Sequence, residues 1–153
     1  MTDNGEAVAL LKAAHSVLVI DWPSRDVPES LARAGYEVIV RGGPGPADYS
    51  SYAIEDGEVV TRRAGKAPEH VDLVYAFRPV AELPGIVDQA RALGARAIWR
   101  QSGFAGDGVQ DRAGVWVSPE ESRRARAIVE AAGLAYIDSP YIVDALNDPQ
   151  HFP

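Results

Sequence analysis

Apolar and polar positions alternate along this chain in blocks, and the blocks change period as they go. Ser16 to Ile20 (SVLVI) is a short continuous apolar run, the pattern of a strand buried on both faces. A helical pattern follows from about Ser24–Asp26 to Gly35, with Pro28 in its first turn, and Tyr36 to Val40 predicts a second strand. The loop Arg41 to Pro46 (RGGPGP) comes next, and then Tyr52–Glu55 and Glu58–Thr61 flank Asp56-Gly57, a hairpin-type turn signal. From Val71 to Gly103 the chain reads strand, Arg-Pro turn, helix over about Val80 to Leu93, Gly stop and strand: a βαβ unit. A leading helix is predicted from Glu6 to Ala14. Near the other end, Ser118-Pro119-Glu120-Glu121 has the cap, the first-turn proline and the glutamate of a capping box. The helix it opens ends at Gly133, Leu134 to Ile137 is the fifth strand, and a short helix is expected near Tyr141 to Leu146.

Strands alternating with helices predict a parallel α/β sheet with right-handed crossovers. With 153 residues and no linker-like break, the chain reads as one domain over 1–153, with an inserted loop at 106–118 and a tail at 147–153. In such sheets ligands bind beyond the carboxyl ends of the strands. This directs attention to Asp21-Trp22-Pro23-Ser24, Arg41-Gly42, Phe77-Arg78 and Gln101 to Gly103, all of which follow predicted strands.

Composition narrows the function. Hydrophobic residues make up 46% and charged residues 24%, as in ordinary globular domains, and no apolar run has the length of a membrane span. The start has no basic segment ahead of its apolar part, so no secretory signal is expected and a cytoplasmic setting is. A net charge of −7 argues against nucleic acid as a partner, although a local Arg cluster can still hold an anionic small-molecule cofactor. Cysteine is absent, which excludes disulfides, thiolate metal sites and a cysteine nucleophile.

The chemistry-bearing residues support binding more than catalysis. His15, His70 and His151 lie far apart and form no triad or zinc spacing, and neither G-x-S-x-G nor H-E-x-x-H occurs. A phospho-receiver would need Asp after the third strand and Lys after the fifth, where this chain has Ala76-Phe77 and Asp138-Ser139. The G-x-G-x-x-G of dinucleotide folds is replaced after the first strand by Asp21-Trp22-Pro23-Ser24, and Asp21 suits a helix cap. Arg78, set by Pro79, can clamp a phosphate or pair with a carboxylate such as Glu82. Gln101 can be a ligand contact or a satisfied loop amide, and Trp99, inside an apolar strand, is expected in the core.

These residues resemble the CoA-binding domain family, small Rossmann-type proteins related to the nucleotide-binding part of succinyl-CoA synthetase. The family's V-D-x-V-x-x-F-R-P is matched from Val71 to Pro79, and its W-x-Q-x-G by Trp99, Gln101 and Gly103. Its A-x-x-A-G-L and the following strand closing on Asp are echoed from Ala127 to Leu134 and by Ile137-Asp138. The resemblance implies a Rossmann-type three-layer sandwich, with a five-stranded parallel sheet in the order 3-2-1-4-5. It also implies coenzyme A at the carboxyl edge, held by Asp21, Trp22, Pro23, Ser24, Arg41, Gly42, Phe77, Arg78, Gln101 and Gly103. The chain departs from the family in four places. The Gly-Ala-Ser of the first loop is missing before Pro23-Ser24, Arg41-Gly42 stands for Asn-Pro, extra sequence runs from Ala105 to Pro119, and the family's late Cys is replaced near Ser139-Pro140. An alternative is therefore a non-catalytic interaction module, with Trp116, the inserted loop and the tail as surfaces for a partner or a homo-oligomer. A third is a small acyl-CoA-handling enzyme using Asp21 or Asp138 as a poised carboxylate.

Overall fold

The computed structural model describes residues 5–20, 25–41, 48–101, 118–138 and 141–147. Its helices are α1 (Gly5–Ala13), α2 (Asp26–Arg33), α3 (Leu83–Ala92), α4 (Pro119–Ala131) and α5 (Ile142–Leu146). Its strands are β1 (Ser16–Ile20), β2 (Glu37–Arg41), β3 (Tyr49–Glu55), β4 (Glu58–Arg63), β5 (Leu73–Ala76), β6 (Ala97–Arg100) and β7 (Ala135–Ile137). One sheet takes all of the strands, in the order β4-β3-β2-β1-β5-β6-β7. β1, β2, β5, β6 and β7 are parallel, while β3 and β4 run antiparallel at one edge.

The α/β class and the mostly parallel sheet agree with the sequence pattern, but the strand count and order differ. Where the sequence predicts five strands in the order 3-2-1-4-5, the sheet has seven among the described residues. The predicted third strand, Leu73–Ala76, lies beside β1 and not beside β2. The reason is the hairpin: β3 pairs with β2 from Val38↔Tyr52 to Arg41↔Tyr49 and so fills the edge of β2 that the third strand would have used. Its turn is the one Asp-Gly predicts. Asp56 at φ 54° and Gly57 at φ 80° both take the left-handed conformation of a two-residue turn that matches strand twist.

Side-chain alternation divides the core into two layers. Leu18, Ile20, Val74, Ala76 and Ile98 face α3 and α4 with Leu83, Ile86, Val87, Ala125 and Val129. Val17, Val19, Leu73, Tyr75 and Trp99 face α1, α2 and α5 with Leu11, Leu31 and Ile142. Because both faces are covered, the central strands read as unbroken apolar runs. Trp99 is fully buried, as its setting in an apolar strand predicts. At the amino end of the sheet, Asp72 ties β1 to β5 by accepting the backbone N–H of His15 (2.7 Å) and of Ser16 (3.3 Å).

Helix starts follow local chemistry unevenly. Ser118 caps α4 as predicted, its Oγ accepting the N–H of Glu121 at 3.1 Å. α2 starts at Asp26 without a side-chain cap, and the predicted α3 is preceded by a 3-10 turn over Val80–Glu82.

Candidate functional site

The chain leaves β1 toward β2 on one side and leaves β5 toward β6 on the other. Those strands are adjacent, so their carboxyl ends form the topological switch point where open α/β sheets bind ligands. Ile20, Arg41 and Ala76 stand level there across three parallel strands. Phe77 extends the pairing, its N–H donating to the Ile20 carbonyl at 3.0 Å.

Two of the expected cation and strand-end residues converge. Arg78, just past β5, grips the Glu82 carboxylate with Nε at 3.0 Å and Nη2 at 2.5 Å. Arg41, at the end of β2, donates from Nη1 to Gln89 Oε1 at 2.7 Å, and Gln89 Nε2 donates to the Tyr49 hydroxyl at 2.8 Å. The 3-10 turn ahead of α3 thus presents Glu82 to Arg78 just past β5, and α3 itself presents Gln89 to Arg41 at the end of β2. The hydrogen bonds from Arg78 hold the Glu82 carboxyl below its usual range, and the charge of Arg41 acts in the same direction. Of the two roles open to Arg78, the pairing with Glu82 is the one realised here. At 33% and 41% side-chain exposure, Arg78 and Glu82 stay within reach of an incoming anion.

Gln101 is wholly buried. Its Oε1 accepts the Tyr75 hydroxyl at 2.6 Å and the Ile142 N–H at 3.4 Å, and its Nε2 donates to the Asp138 carbonyl at 3.4 Å. These contacts make it the satisfied amide of the two readings, joining β5, β7 and α5 beneath the carboxyl edge. Burial pushes the Tyr75 phenol well up, so the hydroxyl stays a donor. Asp21, Trp22, Pro23, Ser24, Gly42 and Gly103 lie outside the described residues, as do most of the 106–118 insertion and the tail beyond Asn147.

Arg100 is the residue that the sequence pattern does not single out. It is 1% exposed at the last position of β6. Nε donates to the Arg78 carbonyl at 2.9 Å and Nη2 to Glu121 Oε2 at 2.9 Å, while Nη1 is buried without a hydrogen-bond partner among the described residues. The signal was a charge closing an otherwise apolar strand, where burial demands a partner. Arg100 therefore braces the turn that carries Arg78 against the first turn of α4. Nearby, Asp138 accepts the Ser122 hydroxyl at 2.5 Å, and Arg126 lies 5.4 Å from the centre of the Tyr136 ring. Among the described residues no group of three or more His, Cys, Asp or Glu is placed to hold a metal. No helix among them is long and apolar enough to cross a membrane.

A family model described as the CoA binding domain matches residues 16–144, from β1 into α5, and the chain belongs to that family. Among solved structures it is similar to Prb, the PH1109 protein redesigned for binding. The TM-score is 0.60 at 17% identity, covering 95% of this chain and 91% of that one. It is likewise similar to a hypothetical protein from Pyrococcus horikoshii OT3, with a TM-score of 0.56 at 15% identity, covering 95% and 90%. At such identities the likeness is one of fold. No curated protein matches the chain.

Proposed function

We propose that this chain binds coenzyme A, or a related adenine nucleotide, across the carboxyl ends of β2, β1 and β5. The observation that carries the reading is the placement of Arg78, paired with Glu82, and Arg41, bonded to Gln89, at the ends of β5 and β2 beside the switch point of a CoA-binding-family sheet. A guanidinium fork suits a phosphate as well as a carboxylate, so a phosphate of the cofactor takes over Arg78 by displacing Glu82. Phe77 offers a half-buried ring beside the same strand end. The role is binding, and the chain's own residues supply charge and shape to it. Calorimetric titration of Arg78→Ala and Arg41→Ala tests the site: each weakens CoA binding about tenfold, the scale of one charge-assisted contact. Unchanged affinity in both variants places the cofactor elsewhere.

A second reading is favoured by the same ion pair. With Glu82 already supplying the anion, the cleft is internally neutralised, and the fold serves as a non-catalytic interaction module. Failure of CoA and adenine nucleotides to bind both the native chain and Glu82→Gln selects this reading.

A further inference from the structure

β4 ends the sheet, and among the described residues no strand lies beyond it. An open edge strand displays a row of unpaired N–H and C=O groups and invites another strand unless something blunts it. Three of the usual devices are missing from the strand itself: Glu58–Arg63 (EVVTRR) has no proline and no lysine, and its pairing with β3 runs from Ser50↔Arg63 to Glu55↔Glu58 without a bulge. What it has is charge of opposite sign at its two ends.

Which groups face outward follows from the hairpin register. Ala64 donates its N–H to the Tyr49 carbonyl at 2.7 Å, so in this antiparallel ladder Arg62, Val60 and Glu58 also turn their backbone groups toward β3. Val59, Thr61 and Arg63 turn theirs to the open edge. Two antiparallel strands can therefore meet across that edge only in registers that set outward residues opposite outward residues. The register centred on Val60 does so and pairs Val59 with Thr61 and Glu58 with Arg62 of a second copy. Shifting the centre to Thr61 sets Val60 against Arg62, and shifting it to Val59 sets Glu58 against Val60, so both lose the charge match between strand residues.

A need for that match is visible within the hairpin. Glu58 stands directly opposite Glu55, a like-charge cross-strand pair, which is unfavourable. Arg62 reaches Glu55 with both of its terminal nitrogens, and that contact holds the Glu55 carboxyl below its usual range. Among the described residues, no ion pair serves Glu58. A second copy's Arg62, arriving opposite Glu58, is shared between its own Glu55 and that carboxylate, and symmetry repeats the contact. Val60, half-buried, meets its own counterpart on the axis.

We infer that β4 is a self-association edge, through which two copies of this chain join antiparallel about Val60 into one continuous sheet. The isologous contact uses one patch on both partners. It lies at the hairpin edge, away from the β1–β5 crevice, and does not depend on the cofactor reading.

Sedimentation of the full chain across the micromolar range tests this first. A reversible monomer–dimer equilibrium is expected, and a monomer throughout overturns the inference. Glu58→Arg turns two attractive pairs into repulsive ones and weakens the dimer about tenfold. Glu58→Arg combined with Arg62→Glu restores it. An unaffected single variant, or a double variant that stays monomeric, contradicts the register. Because the chain has no cysteine, Val60→Cys gives a single thiol beside its symmetry mate in the close, non-hydrogen-bonded pair. Oxidation should link that variant into dimers and leave Val59→Cys unlinked; the reverse result rules out the Val60 axis.

Discussion

Arg78 and Glu82 form a two-point ion pair across the turn that leaves β5, with contacts of 3.0 and 2.5 Å. The pair is four residues apart and partly exposed, so its own contribution to stability is small, about 0.5 kcal/mol. Its consequence lies in occupancy: under the proposed function, the Glu82 carboxylate occupies the guanidinium that a phosphate of the cofactor would take. Glu82→Gln removes the competing charge, and we expect CoA affinity to rise several-fold with little change in melting temperature. A fall in affinity would mean that Glu82 helps to orient Arg78 for its ligand.

Arg100 separates stability from positioning. Glu121→Ala leaves the buried Arg100 guanidinium without its anion and costs about 2–3 kcal/mol, less than a fully buried pair because Glu121 is 34% exposed. Arg100→Met removes both charge and need, and its stability stays within about 1 kcal/mol of wild type. The Met variant nevertheless frees the Arg78 carbonyl and lowers CoA affinity. Chemical denaturation and calorimetry on the two variants distinguish these effects.

Asp72 contributes to the acid limb of stability. The His15 backbone N–H holds its carboxyl below the ordinary value, against the opposing effect of burial, and His70 and the Ser16 N–H add to the lowering. A carboxyl lowered in the folded state stabilises it fully above the unfolded value of about 3.9 and loses that contribution as pH falls through the folded value. Asp72→Asn should cost about 1 kcal/mol at neutral pH. The gap from wild type should close below about pH 4 in urea unfolding series.

Gly94 ends α3 with φ 76°, and an added Cβ would lie 2.9 Å from His70 Nδ1. Gly94→Ala combines left-handed strain with that contact and destabilises by about 1–2 kcal/mol. Adding His70→Ala recovers only the steric part, which a double-mutant cycle measures.

Much of this was legible in the chain because the physics is local. The buried runs of β1, β5 and β6, the Ser118 cap and the Asp56-Gly57 turn each follow from neighbouring residues. The strand order was less so: nothing in Tyr49–Glu55 by itself says that it pairs with β2, and that non-local contact moved Leu73–Ala76 beside β1. At the site, Arg78 and its partner Glu82 are four residues apart and can be read from spacing. Arg41–Gln89 and Arg100–Glu121 join residues far apart in sequence and needed the folded sheet. Gln101 shows the same limit, since its ligand and anchor readings differ only in which way the strand end is buried.

The central claim is that the arginines at the ends of β2 and β5 receive the phosphates of coenzyme A. Isothermal titration of the native chain with CoA, with phosphate-free pantetheine as control, tests it most directly. Saturable one-to-one binding of CoA, absent with pantetheine and weakened by Arg78→Ala, is the predicted result. No heat with CoA for either the native chain or Glu82→Gln, or equal binding of pantetheine, would contradict it.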